Sequence, residues 1–482
     1  MTTVEGRRGF WIDGEFAEPR STGEIEIYNA STGAPIAVVP EASAADLDAA
    51  VSAARRAFDH SGWPGWSAER RRQAMLSLAD ALEARAEDTA QAVSVQNGMP
   101  ISLSRRTEAV VPASLLRYYS ELVTDPEDEE RRPSSRGTTT VIRREPIGVV
   151  AAITPWNYPQ SLAFFKIAPL LAAGCTVVLK PSPETVLDSY ILAEAIAASD
   201  IPAGVLNIVA GGREIGAQLV SHPGVDKVAF TGSTAAGRMI GEACGRLIRP
   251  VTLELGGKSA AVILDDADLE PALQDFFAAT LMNNGQTCHL GTRVLAPRHR
   301  YRETVDLITD FARSLQVGDA LAASTQIGPL ASRAQQRRVR AHIERGIAEG
   351  GRVTTGGAEA AGFESGWFVL PTIFDNVANS DTIAREEIFG PVLVVIPYEG
   401  EDDAVAMAND SEYGLGGSVW TSDVQRGLDI ARRIRTGSLG INHFAIDMAS
   451  PFGGIKLSGL GRELGPEGLT AYQQTKSIYL RS

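Results

Sequence analysis

From Pro146 onward, short apolar runs alternate with segments of helical period. Ile147–Ile153 (IGVVAAI) is apolar on both faces, as a central strand of a parallel sheet is. Ser161–Ala173 predicts a helix, and Thr176–Leu179 a second strand that runs into Lys180-Pro181-Ser182-Pro183. Val205–Val209, Lys227–Phe230 and Val251–Leu255 predict further strands, with helices over Arg213–Ser221 and from Thr234 between them. Such alternation builds right-handed βαβ units and a doubly wound α/β sheet. Ligands of these sheets gather at the carboxyl ends of the strands. Asn157, Lys180, Ser233 and Glu254 all fall at or just past a predicted strand end.

Upstream, Ala44–Phe58 and Ala68–Val95 carry the period of two amphipathic helices. Asp125–Pro133 is a charge run flanked by prolines and predicts a solvated hinge. Gly137–Arg144 predicts an exposed strand. A second α/β block follows Gly257, with strands near Ala260–Leu264 and Val392–Pro397. Gly351–Phe368 is glycine-rich and predicts a loop or hairpin. The chain has no internal repeat and no low-complexity tract.

A chain of 482 residues exceeds one ordinary core, so two or three domains are expected. The net charge of −14 opposes binding to nucleic-acid phosphates. A phosphate-bearing cofactor therefore needs a local exception. Met1–Phe10 has no apolar core and does not read as a secretory signal. The apolar stretch Ile167–Leu179 contains Pro169 and Gly174 and is too short to span a bilayer. The expectation is a cytoplasmic protein without membrane association. The three cysteines, Cys175, Cys244 and Cys288, form neither a disulfide framework nor a metal-ligand spacing, so no metal site is expected.

Cys175 and Cys244 sit within apolar segments, where a cysteine acts as a small hydrophobe. Cys288 instead follows the polar run Asn283-Asn284-Gly285-Gln286 and the helical stretch Pro271–Met282. A nucleophilic thiol there needs a lowered pKa or a nearby base. Glu254 ends an apolar strand just before Gly256 and Gly257. It reads either as a partner of Lys258 or as a general base raised toward neutrality by burial. Phe230-Thr231-Gly232-Ser233 joins a strand to a helix, and helix N-termini hold anions. It is not the G-x-G-x-x-G fingerprint, Thr252 breaks a P-loop ending at Gly257-Lys258-Ser259, and no strand precedes Gly459-Leu460-Gly461. Asn157, between Pro155 and Pro159, is either an Asx-type turn residue or a preorganised oxyanion donor.

Taken in order, Pro155-Trp156-Asn157, Lys180-Pro181-Ser182, Phe230-Thr231-Gly232-Ser233, Glu254-Leu255-Gly256-Gly257-Lys258, Gly285-Gln286-Thr287-Cys288, Glu387-Ile388-Phe389-Gly390-Pro391 and Pro451-Phe452-Gly453-Gly454 resemble the aldehyde dehydrogenase superfamily across nearly the whole chain. The resemblance implies a Rossmann-like dinucleotide-binding domain at 1–122 and 145–256 and an α/β catalytic domain at 257–452. It also implies a small β oligomerisation element with the C-terminal tail at 123–144 and 453–482. Gly137–Arg144 and Thr475–Leu480 resemble the strands of that element, and a homodimer or homotetramer follows.

The same resemblance assigns roles. Cys288 is the nucleophile, and Asn157 with the Cys288 N–H forms the oxyanion hole. Glu254 is the base for the deacylating water, and Lys166 supports its proton path. NAD, with NADP as the alternative, is bound by Thr154, Trp156, Lys180, Ser182, Glu184, Gly212, Gly216, Phe230, Gly232, Ser233, Leu255, Glu387 and Phe389. Tyr158, Leu162, Phe165, His289 and Phe444 line the aldehyde tunnel. They include no Lys or Arg to clamp a second carboxylate, which favours a medium-sized hydrophobic or aromatic aldehyde.

NAD-preferring members often carry Glu where this chain has Pro183, with Glu184 next, which weakens the preference for NAD over NADP. Members that pass the acyl group to coenzyme A typically lack a carboxylate at the Glu254 position, so water is the favoured acceptor here. A CoA-acylating semialdehyde dehydrogenase and a non-catalytic binding or structural member of the fold are the competing readings.

Overall fold

The computed structural model describes residues 9–125 and 128–481. The first eight residues, and Pro126 and Glu127 of the charge run, lie outside that range. The largest sheet has eight strands, in the order Gly459–Leu460, Val251–Glu254, Lys227–Thr231, Val149–Ile153, Thr176–Lys180, Leu206–Ile208, Phe10–Ile12 and Glu15–Ala17. Its five inner strands are parallel. From Val149–Ile153 the chain winds first through Thr176–Lys180 and Leu206–Ile208, then crosses to Lys227–Thr231 and Val251–Glu254 on the other side. The winding therefore reverses between Val149–Ile153 and Lys227–Thr231, where such sheets open a crevice for ligands. Register aligns the strand ends there: Ile153 pairs with Lys180, Phe230 with Ile153, and Thr231 with Glu254.

A second sheet runs Arg352–Thr355, Thr372–Asp375, Val392–Tyr398, Arg293–Pro297, Ala260–Ile263, Gly417–Trp420 and Gly440–Ile441. It is parallel except for the hairpin-like Arg352–Thr355 edge, within the segment expected as loop or hairpin. Each sheet has its own apolar core on both faces. Packed on the first sheet is helix Pro159–Ala173, buried along its entire length. Pro at its first turn and Gly174 in a left-handed conformation (φ 87°) after its last residue set its limits. No helix among the described residues is long and apolar enough to cross a membrane.

Two expectations need correction. The helix over Ala68–Val95 is two helices, Ala68–Glu83 and Ala86–Asn97. No Gly or Pro marks the break. The first half packs against Val111–Ser120 and the second against Ile101–Ser104 and Leu187–Ala197, so tertiary packing turns the chain. The charge run is not wholly a hinge, because Glu130–Pro133 is a strand paired antiparallel with Thr139–Pro146. The turn between them is closed by Ser134 N–H donating to Thr138 O, with Gly137 at φ 77°. Thr139–Pro146 pairs in turn with Gln473–Leu480, giving a three-stranded sheet whose outer strands are mostly exposed. No strand directly precedes Gly459–Leu460, as expected; the pair itself forms the edge of the first sheet, antiparallel to Leu253–Glu254. Gly459 (φ 144°) is required there, since a Cβ would stand 2.0 Å from Leu253 O.

Candidate active site

Cys288 stands on the short link between helix Leu273–Thr280 and strand Arg293–Pro297. Asn283, Asn284 and Gly285 all have positive φ (54°, 61° and 72°), so the chain doubles back before it. Gly285 can hold no side chain, because a Cβ would lie 2.1 Å from Gly390 O. The Asn284 amide donates to Gly98 O and Pro329 O, both at 2.8 Å, and Gln286 Oε1 accepts from Ala331 N–H at 3.0 Å. The polar run before Cys288 is thus a buried clamp, and the thiol itself is partly buried.

Asn157 faces this link. Its Nδ2 donates to Gln286 O at 2.9 Å, and Tyr158 OH shares a 2.9 Å hydrogen bond with Thr287 Oγ1. The Asn157 carbonyl accepts from Asn97 Nδ2 at 3.3 Å and Asn283 Nδ2 at 3.0 Å. The amide is therefore held rigidly, with one Nδ2 hydrogen left for a further acceptor.

Glu254 lines the same cleft, a cavity of about 150 Å³ shared with Trp156, Asn157, Leu162, Cys288, Glu387 and Phe389. It is 3% exposed, and neither carboxylate oxygen has a hydrogen-bond partner. Burial pushes its carboxyl well up, and the charge of Glu463 pushes it further, against the pull of Lys166 and Arg462. It does not pair with Lys258. Lys166, fully buried, donates to Thr231 Oγ1 at 2.6 Å and to Glu463 Oε1 at 2.8 Å, so it reaches Glu254 through its charge and not through a bond. The thiol of Cys288 is also pushed up, first by burial and then by the charges of Glu254 and Glu387. Among the described residues no cation counts among the groups that shift the thiol itself, so the lowered thiol pKa that a nucleophile can rely on is not built in here.

Along the same strand ends, Ser233 caps helix Thr234–Leu247, its Oγ accepting from Ala236 N–H. Gly232 sits against the Phe230 ring, where a Cβ would stand 2.5 Å away, and Leu255 packs as closely on Gly237. Thr154 N–H donates to Lys180 O at 3.2 Å. The Lys180 ammonium donates to Pro181 O and Gly211 O, both at 2.8 Å, and burial lowers its pKa to about 8. Gly216 lies beside its side chain, and Gly212 N–H donates to Glu41 Oε1 at 3.0 Å. Glu387 accepts from Gly257 N–H at 3.0 Å, and a Cβ on Gly256 would strike its other oxygen at 2.3 Å. Phe389 (φ 62°) meets Trp156 edge-on at 5.4 Å. Glu184 departs from this group. It accepts from Ser182 Oγ at 2.5 Å and lines a separate cavity of about 420 Å³ with Pro183, Gln96, Arg333 and Trp367.

On the thiol's other side, Tyr158, Leu162 and Phe165 are buried in one apolar cluster, with Cys288 and Phe444 packed against it. His289 stacks on Phe444 (4.3 Å between ring centroids, 16° between planes). Burial lowers its pKa to about 4, so the ring is neutral.

Sequence reading missed Glu463, Asn97, Gln335 and Arg338. Glu463 had an indirect signal: Lys166 in an otherwise apolar helix demands a buried acid. Gln335 and Arg338 line the cleft, where Gln335 donates to Phe389 O at 2.7 Å and Arg338 to Glu387 O at 2.6 Å. Phe452 meets both Phe165 and His289 edge-on. Gln335 and Arg338 have no local signature, whereas Phe452 was marked as part of the Pro451-Phe452-Gly453-Gly454 match.

The pattern of the aldehyde dehydrogenase family matches residues 16–478. The chain is 53% identical over 470 residues to a geranial dehydrogenase of Castellaniella defragrans, covering 98% of each chain. It is 38% identical to a phenylacetaldehyde dehydrogenase of Pseudomonas fluorescens, covering 97% of this chain and 95% of that one. Among solved structures, an aldehyde dehydrogenase of Mycobacterium tuberculosis complexed with NAD+ superposes with a TM-score of 0.95 at 45% identity, over 98% of each chain. The strand ends, the clamped cysteine and these likenesses agree: the chain belongs to the aldehyde dehydrogenase family.

Proposed function

We propose that this enzyme oxidises a medium-sized hydrophobic or aromatic aldehyde to the carboxylic acid with NAD+, through acylation of Cys288 and hydrolysis by a water that Glu254 activates. The observation that carries the reading is the shared cleft of Cys288, Asn157 and an unpartnered, buried Glu254. A relative bound to NAD+ supports the cofactor. So does the fit of the strand ends to a dinucleotide: a Ser-capped helix N-terminus for phosphate, Lys180 with a donor to spare for a ribose, and glycines at 232 and 256 that clear space. Gly212, Gly216, Thr154, Phe230 and Leu255 shape this surface, and Glu387 with Phe389 and Trp156 holds its inner end. The nicotinamide, when bound, supplies the hydride acceptor.

Because its surroundings favour the thiol, Cys288 yields its proton to Glu254 as its sulfur adds to the aldehyde carbon. The resulting oxyanion takes the free Nδ2 hydrogen of Asn157 and the Cys288 N–H. Loss of hydride from the carbon leaves a thioester on Cys288. After passing the thiol proton to solvent, Glu254 removes a proton from water, whose attack on the thioester carbon releases the acid and the Cys288 thiolate, which takes that proton back. Burial, and after it the charge of Glu463, keep the Glu254 pKa raised against the pull of Lys166.

The tunnel walls of Tyr158, Leu162, Phe165, His289 and Phe444 support an apolar substrate, as do relatives named for geranial and phenylacetaldehyde. The neutral His289 offers no charge to a second carboxylate. Pro183 and the outlying Glu184 leave the 2′-position of the ribose without a clear carboxylate, so NADP is the alternative cofactor. We assign the eight-stranded sheet to cofactor binding and the seven-stranded sheet with Cys288 to catalysis. The exposed edge Ile478-Tyr479-Leu480 of the three-stranded sheet supports self-association as a dimer or tetramer. A panel of aldehydes assayed with NAD+, NADP+ and added coenzyme A tests the reading. Fast turnover of phenylacetaldehyde or geranial with NAD+ and no effect of coenzyme A is expected. Dependence on coenzyme A, or preference for a semialdehyde acid, overturns it.

A further inference from the structure

Glu108 lies in the turn between helices Ile101–Ser104 and Val111–Ser120, is 1% exposed, and has no role in the chemistry above. Its carboxylate is aimed at the start of helix Pro159–Ala173. Oε2 accepts from the backbone N–H of Gln160 at 2.9 Å and of Ser161 at 3.3 Å, and Oε1 accepts from Ser161 Oγ at 2.6 Å. Pro159 has no N–H, so Gln160 and Ser161 carry the first amide hydrogens of this helix. Its own N-cap residue, Tyr158, makes no side-chain capping bond. Tyr158 turns its hydroxyl to Thr287 instead. The cap that a helix ordinarily takes from its own sequence is here delivered from a segment about fifty residues away, at the end where the helix dipole is positive.

We propose that Glu108 is a positioning residue for acylation: by capping this helix it fixes the direction in which Asn157 and Tyr158 meet the Gln286–Cys288 link. The segment 156–161 is gripped at both ends by one N-terminal unit. Asn97 holds the carbonyls of Trp156 and Asn157, and Glu108 holds the amides of Gln160 and Ser161. Between the two grips stand the residues whose side chains reach Gln286 O and Thr287 Oγ1. A second buried bond, from Gln160 Nε2 to Asp188 Oδ2 at 2.6 Å, ties the same turn to helix Leu187–Ala197. With Glu108 replaced by glutamine, one of the two acceptor oxygens becomes an NH2 and the negative charge at the helix N-terminus is lost, which loosens the turn. The proposal rests on the reading of Asn157 as the oxyanion donor.

The test is a double-mutant cycle on the burst of NADH formed with phenylacetaldehyde and NAD+. Glu108→Gln is expected to slow the burst by about tenfold or more, since small misplacements of reacting groups carry losses of that order. The KM for NAD+ is expected to stay within about twofold in the same variant, because Glu108 grips Gln160 and Ser161, whereas the cofactor residue Trp156 is held separately by Asn97. In an Asn157→Ala background the same change is expected to alter the burst by less than about twofold, because the group it positions is gone. Ser161→Ala, which deletes the 2.6 Å donor and leaves the backbone intact, is expected to act in the same direction and serves if Glu108→Gln does not fold. An unchanged burst in the variant that folds, or an equal loss in both backgrounds, overturns the proposal. Asn157→Ala with a full burst overturns the oxyanion reading and the proposal with it, whereas an impaired Asn157→Ala beside an unimpaired Glu108→Gln overturns the proposal alone.

Discussion

Glu463 Oε1 stands 2.8 Å from the ammonium of Lys166, so the positive charge buried nearest Glu254 is already matched by a second acid. Glu254 therefore feels both members of a pair, and the acid dominates: its carboxyl is pushed up by burial and by Glu463. A base must be ionised to work, so turnover falls as pH drops through the raised Glu254 pKa. Glu463→Gln removes the raising charge and leaves Lys166 to lower it. The acid limb of kcat is expected to move down by about one pH unit or more. A kcat–pH profile checks this, and an unmoved or raised limb contradicts it.

Replacing Lys166 tests the same pair from the other side. Lys166→Met leaves Glu463 as an unpaired buried acid beside Glu254. A stability loss of about 3–5 kcal/mol in urea unfolding is expected, with the acid limb of kcat moved upward.

Lys180 is charged below about 8 because burial has lowered its pKa from the ordinary lysine value. If it grips the cofactor as an ammonium, the KM for NAD+ rises once pH passes that value. Lys180→Ala raises the KM and removes the pH dependence. A KM that is flat across the alkaline range in the parent enzyme contradicts the assignment.

Two glycines near the site differ in what an added methyl meets. At Gly256 it meets the far end of the Glu387 side chain, at Gly285 the backbone of Gly390 under positive φ. Gly256→Ala is expected to fold and to raise the KM for NAD+ severalfold by displacing Glu387. Gly285→Ala is expected to lose about 2 kcal/mol or more of stability and to displace Cys288. Thermal melts beside steady-state assays separate the two.

The stacked rings of His289 and Phe444 give the tunnel an aromatic wall. Phe444→Ala is expected to lower kcat/KM for phenylacetaldehyde by about 0.5–1.5 kcal/mol in transition-state terms, and to spare a two-carbon aldehyde. Equal losses for both would remove the wall from the account of specificity.

What the sequence made legible follows from how local each signal is. Asn157, Lys180, Ser233 and Glu254 sit where strand periodicity ends, and one register line joins their strands. Cys288 was marked by its polar neighbours, whose amides clamp a buried link. Glu463 lies 297 residues from Lys166, and Asn97 lies 60 from Asn157, so no local pattern could join them. The broken helix at Ala84 and the strand within the charge run failed for a related reason: partners distant in sequence decide both.

The most direct test of the two-stage chemistry is one turnover of Glu254→Gln with phenylacetaldehyde and NAD+, followed by mass spectrometry of the peptide containing Cys288. A burst of NADH slowed by loss of the thiol's proton acceptor, still slower turnover thereafter, and a phenylacetyl group on Cys288 are predicted. Parent-like steady turnover, or a burst that leaves Cys288 unmodified, would contradict the assignment of Cys288 as the acyl carrier and Glu254 as the hydrolytic base.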